Sequence, residues 1–174
     1  MKKIIVVSIA FLGLTACQQD KIVFIDTSEL INDYQEKKDI EAKYKAKVDV
    51  FDKKTDSLSK AFQAEAQDFD SKSKSMPQKA AQERYNQLMQ KRQAVGQQLQ
   101  MEQQLLSQES QTEIDSLVSK VKTFVKNYGE EKKYTFILGA NEAGSVLYGE
   151  EAKDITKEVL EALNERYKKN EGGK

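Results

Sequence analysis

Two lines of apolar residues, each stepping by three or four positions, dominate this chain and meet at its only proline, Pro77. The first runs through Tyr44, Val48, Phe51, Thr55, Leu58, Phe62, Ala66, Phe69, Ser73 and Met76. The second runs through Ala81, Tyr85, Leu88, Arg92, Val95, Leu99, Glu102 and Leu106, then Ile114, Leu117, Val121, Phe124 and Tyr128. A spacing that averages about 3.5 residues keeps one stripe of a helix facing a partner helix, which is a coiled-coil seam. Each seam carries one extra step of four, so the supercoil is expected to relax locally there. At about 1.5 Å per residue the helical patterns on either side of Pro77, from about Ser28 to the turn and from the turn to Tyr128, each predict a rod of roughly 70 Å, far longer than a globular helix. Proline starts helices but does not continue them, so the chain is expected to turn at Pro77 and return antiparallel.

The 174 residues are 32% charged, with 28 basic and 28 acidic side chains, and these cancel. Such composition without a period would indicate disorder; with a 3.5-residue period it indicates long helices. A net charge of zero provides no global field to recruit nucleic acid or an anionic membrane, so charge arguments are local. Histidine and tryptophan are absent. Without histidine there is no Ser/His or Cys/His pair and no ordinary zinc site, and the commonest general base is missing. The carboxylate pairs Glu130–Glu131 and Glu150–Glu151 have no supporting constellation and read as solvated. Neither an enzyme nor a cofactor is expected.

The only cysteine, Cys17, closes an N-terminal leader. Lys2 and Lys3 supply its positive end and residues 4–14 an apolar run too short to span a bilayer stably. Leu14, Thr15, Ala16 and Cys17 resemble a bacterial lipobox, so residues 1–16 are expected to be removed and Cys17 to carry the acyl chains that anchor the protein. Gln18 stands where an aspartate would favour the inner membrane, so the outer membrane is favoured.

Ile22, Val23, Phe24 and Ile25 have the composition of a buried strand, followed by Asp26, Thr27 and Ser28 as candidate helix caps and by Glu29. The predicted organisation is an anchor and strand over 17–27, a helical arm over 28–128, and a body segment over 129–174. Asn127, Tyr128 and Gly129 read as the helix stop. Residues 134–138 and 145–148 read as a β-hairpin, and Asp154 as the cap of a last helix with Ile155, Val159, Leu160, Leu163 and Tyr167 on its apolar face.

Around the turn, Lys72, Lys74, Lys79, Arg84, Lys91 and Arg92 stand against Glu83, making a basic tip that is either a binding or membrane-facing site or a solvated helix end. Val50, Met89, Met101 and Leu105 fall beside the seam, where they either broaden the core stripe or offer adaptable apolar contacts to clients. Gly96 within the second helix is a soft point. Three short strands and one helix make a poor core with exposed edges, for which closed symmetric association is the natural remedy.

The strand from Lys21 to Asp26, the long charged hairpin, the run Tyr134-Thr-Phe-Ile-Leu-Gly-Ala-Asn-Glu-Ala-Gly-Ser-Val-Leu-Tyr148 and the segment from Asp154 to Leu160 together resemble the Skp/OmpH family of periplasmic chaperones. The resemblance spans essentially the whole chain after the leader. It implies an α+β fold, with a long antiparallel coiled-coil arm projecting from a small β-body assembled as a trimer. Ile22, Phe24, Phe136, Ile137, Val146 and Leu147 would build that body. It further implies an ATP-independent holdase that keeps unfolded outer-membrane β-barrel proteins in a cavity between arms. This chain departs from the family in its neutral charge and its lipid anchor. A different reading, a coiled-coil lipoprotein that tethers or spaces envelope components, accounts for the anchor and the rods equally well. Neither reading involves nucleic acid.

Overall fold

A computed structural model describes residues 20–141 and 144–171. The leader and Cys17 lie outside the described residues. Strand β1 (Ile22–Asp26) is followed by α1 (Thr27–Asp33), α2 (Gln35–Ser73), α3 (Gln78–Lys132), β2 (Phe136–Ala140) and, after a short 3₁₀ turn, α4 (Thr156–Glu171). The architecture is α+β, two long helices rising from a two-stranded sheet and α4.

β1 and β2 pair in parallel, Ile22 opposite Phe136 and Asp26 opposite Ala140. Parallel neighbours need a long crossover, and here the whole arm serves as one. Alternation along β1 turns Val23 and Ile25 into the core and Ile22 and Phe24 to the other face. Beneath Val23 and Ile25, the core is completed by Leu30 and Tyr34, by Leu117, Val121 and Tyr128 of α3, and by Ile155, Val159 and Leu163. Fully burying Leu30, Leu117 or Val159 contributes about 1.5–3 kcal/mol each. The carboxylate of Asp26 accepts the amides of Ser28 and Glu29, capping α1. Thr156, the one buried polar residue of this region, accepts the Asp26 amide and donates its hydroxyl to Asp154, tying the start of α4 to the end of β1.

Three features differ from expectation. No hairpin forms between 134–138 and 145–148. A two-stranded hairpin alone is marginal in water, and β2 instead joins β1, whose inward face α4 already covers. The Ile155 amide bonds to Phe24 O along the other edge of β1. Residues 145–148 form a loop, with Leu147 and Tyr148 almost fully exposed, and Gly149 lies against the Phe24 ring. The helix also runs past Gly129 to Lys132, ending at Lys133 in the left-handed conformation (φ 58°). Gly129 is buried within α3 where Ile137 packs: an added Cβ would stand 3.1 Å from Ile137 Cδ1, so this glycine serves close approach and not termination. Finally, the helix predicted to start at Ser28 is interrupted at Tyr34, whose extended backbone (φ −62°, ψ 127°) separates α1 from α2.

The turn comes where proline placed it. Pro77 occupies the cap position before α3, and its carbonyl accepts the Ala81 amide. The returning helix keeps one register along the arm, legible in the ion pairs. Glu36–Lys120, Lys43–Glu113, Lys47–Glu109, Lys54–Glu102 and Glu65–Lys91 advance on α2 by the same steps by which they retreat on α3. Each exposed pair contributes little by itself. Because the sign of the α2 partner changes from acid to base and back to acid, slipped registers would oppose like charges.

Candidate functional site

Of the expected seams, Tyr44 and Leu88 are buried along the arm, Leu117, Val121 and Tyr128 are buried in the body core, and most others are half-buried. Ala66 and Arg92 are exposed; Glu65 takes the inner position, only a quarter of its side chain exposed, and receives both Lys91 and Arg84. Val48 and Tyr85, assigned to the seams by spacing, remain 44% and 46% exposed.

The basic tip is smaller than its six cations suggest. Lys72 pairs with Asp68 at 2.6 Å, while Arg84 and Lys91 converge on Glu65 at 3.3 and 2.7 Å. Lys74, Lys79 and Arg92 are exposed and make no ion pair among the described residues. The acids that neutralise the rest lie a helical turn before the tip or across the arm, and a count confined to the turn misses them.

Lower on the arm the apolar candidates separate. Val50, Met101 and Leu105 are well exposed, whereas Met89 is half-buried and broadens the core stripe. Around them the two sides of the arm differ in chemistry. One side carries the Lys43, Lys47 and Lys54 bridges, with the Tyr44 hydroxyl donating to Glu113 at 2.9 Å. The Lys43 ammonium, with help from that hydroxyl, holds the Glu113 carboxyl below its ordinary range, and burial with the adjacent carboxylate pushes Tyr44 up. The opposite side is an open groove of about 400 Å³ along Val48, Phe51, Gln103, Leu106, Ser107 and Gln111, where Asp52 is the only charge. It lies at the extra step between Leu106 and Ile114, where the seam has Ser110 in place of an apolar residue.

In the body, the outward face of the sheet presents Ile22, Phe136 and Leu138, 43%, 56% and 43% exposed. Leu147 and Tyr148 project from the neighbouring loop. Phe24 and Val146 are half-buried, and Ile137 packs on the core. Of the six residues expected to build an oligomer body, Ile22, Phe136 and Leu147 are exposed and the other three are half-buried, and sequence reasoning missed Leu138 because it was read only as the end of a hairpin strand. For a monomer, contiguous exposure of this kind marks an interaction surface.

A sequence model of a family described as outer membrane protein (OmpH-like) matches residues 21–163. No curated protein matches the chain by sequence. Among solved structures, the chain is similar to one described as an OmpH-like outer membrane chaperone from Caulobacter crescentus CB15, with 18% identity and a TM-score of 0.75 over 84% of this chain and 85% of that one. At that identity the likeness concerns the fold.

Proposed function

We propose a function from one premise: this chain belongs to the OmpH-like family, the Skp/OmpH family of its sequence resemblance. The protein is a chaperone, an ATP-independent holdase that binds unfolded outer-membrane β-barrel proteins between its helical arms and keeps them from aggregating. The observation that carries this reading is the arm's unsealed middle, where Val48, Phe51 and Leu106 line an open, nearly uncharged groove and where Val50, Met101 and Leu105 stay exposed outside it, Leu105 beside Glu109 and Glu113. Unfolded barrel strands alternate apolar and polar residues, and their apolar faces are the aggregation hazard. Several weak apolar contacts along an arm shield such faces while permitting release, and methionine side chains repack to suit unrelated clients. The OmpH-like chaperone of Caulobacter crescentus shares the fold.

Assembly completes the site. The open sheet face of Ile22, Phe136 and Leu138 supports a body closed by further copies, for which a trimer is proposed, with the arms around a common cavity. Acylated Cys17 would hold that cavity in the periplasm beside a membrane, the outer membrane being favoured. The test is light scattering of a refolding outer-membrane barrel. Stoichiometric protein is expected to suppress the signal, and an unchanged signal refutes the reading.

The neutralised tip favours a second reading, a tethering or spacing lipoprotein, since a rod needs no charge excess at its end. Changing Lys74, Lys79 and Arg92 to glutamine separates the two. A chaperone whose tips touch clients loses capture while its assembly state is kept; a spacer suppresses no aggregation before or after the change.

A further inference from the structure

α3 is rooted in the body: Leu117, Val121 and Tyr128 lie in the core, and the helix continues unbroken into the arm. α2 is not rooted in this way. It begins at the break at Tyr34, and its first amide, on Gln35, has no carbonyl a turn earlier to accept it. That amide instead donates to Asn164 Oδ1 of α4 at 2.9 Å, a partner far away in the chain. One turn further along α4, the Tyr167 hydroxyl donates to Asp39 Oδ2 at 3.0 Å, and its ring meets the buried ring of Tyr34 edge to face, centroids 5.9 Å apart. The Tyr34 hydroxyl in turn donates to Glu36, which bridges to Lys120 on α3. Lys37 and Lys38 reach back across the break to Asn32 and Asp33.

Mechanically, α3 alone is one slender helix, and α2 is the strut that braces it. Sideways bending of the arm requires α2 to slide along α3 or its foot to lift. The cross-arm ion pairs resist the first motion, and the contacts of α4 resist the second. We infer that Asn164 and Tyr167 pin the foot of α2 at the Tyr34 break and so fix the angle at which the arm leaves the body. They are positioning residues for whatever the arms enclose: with the foot pinned the arms keep a set separation, and with it released they splay.

The test measures the angle itself, in the full chain. Spin labels on p-acetylphenylalanine at exposed Gln98 on the arm and exposed Lys157 on the body, diluted with unlabelled protein, report the arm-to-body distance by pulsed electron resonance and leave Cys17 untouched. Asn164→Ala combined with Tyr167→Phe is expected to at least double the width of that distance distribution, and amide exchange at residues 35–39 should accelerate. Asn164→Asp with Tyr167 intact keeps the accepting oxygen and should keep the distribution narrow. If the double variant lowers the melting midpoint, Asn164→Ala alone is read in the same way. A width equal to wild type in the folded variants, even with faster exchange at residue 35, overturns the inference. No client is present in this measurement, so its result is separate from that of the refolding assay.

Discussion

Replacing Gly96 by alanine should stiffen the arm at its weakest helical position. Gly96 lies inside α3, exposed, and a methyl group built on its Cα meets no atom within 4 Å. The substitution therefore introduces no clash and removes no contact. What changes is the unfolded chain, which loses the extra backbone freedom of glycine, and the helix gains about 0.8–1 kcal/mol. Openings that pass through this part of the arm should become about fivefold rarer, the equilibrium factor for roughly 1 kcal/mol. Native-state amide exchange on residues 90–102 reads this directly, and the global melting midpoint should rise by about 2–4 °C for a chain of this size. Exchange that is unchanged or faster would refute the reasoning, because the methyl would then be meeting a surface that closes over Gly96. If wild-type capture of clients depends on a yielding arm, the same variant will hold them less well although it is more stable.

Gly149→Ala should act oppositely on the body. Its Cβ would overlap Phe24 Cε1, so either the loop lifts or the ring turns, at about 1–3 kcal/mol, and denaturant titration should show the loss with arm helicity retained. An unaltered midpoint would mean that the loop does not rest on Phe24. Leu117→Ala leaves a cavity where α3 enters the core and should cost about 3–5 kcal/mol in the same titration. For pH, the Glu113 carboxyl is held low by Lys43 and Tyr44, so its contribution is present above the unfolded-state pKa and drains away as pH falls through the lower folded value. Lys47 is held high mainly by its hydrogen bond to Glu109, so its contribution is present below the unfolded-state pKa and is lost as pH rises through the higher folded value. Helicity by circular dichroism should therefore fall at both extremes, and Glu113→Gln should flatten the acid limb; an identical acid limb in that variant would contradict the assignment.

Much of the arm was legible because a seam is a local, repeated signal: spacing located the buried Tyr44, Leu88, Leu117, Val121 and Tyr128, and proline located the turn. The strand at residues 22–25 was legible for the same reason, and the cap was narrowed to Asp26, Thr27 or Ser28, of which the structure uses Asp26. What escaped was set by distant partners. The break at Tyr34 is met by Asn164 and Tyr167, more than a hundred residues away in the chain, and nothing near Tyr34 announces it. Gly129 looks like a helix stop until Ile137 is seen beside it. The candidate tip lost half its free charge to Asp68 and Glu65, which a window centred on the turn left out. Apolar runs at 134–138 and 145–148 look equally strand-like, and only the vacant edge of β1 selects between them.

The parallel pairing of β1 with β2 also bears on how the chain reaches this state. More than a hundred residues separate the two strands. Bringing them together directly would cost roughly 4 kcal/mol of loop-closure entropy before any contact repaid it. A hairpin that nucleates at Pro77 and zips downward needs only neighbouring contacts at each step, and it delivers both strands to the same place with little slack. The alternating ion pairs then act as a ruler: a coiled coil zipped in the wrong register would present β1 and β2 out of step, with Val23 and Ile25 misplaced over α4. On this view sheet formation waits for the arm, so variants at Lys47–Glu109, Lys54–Glu102 or Glu65–Lys91 should slow folding of a body they do not touch.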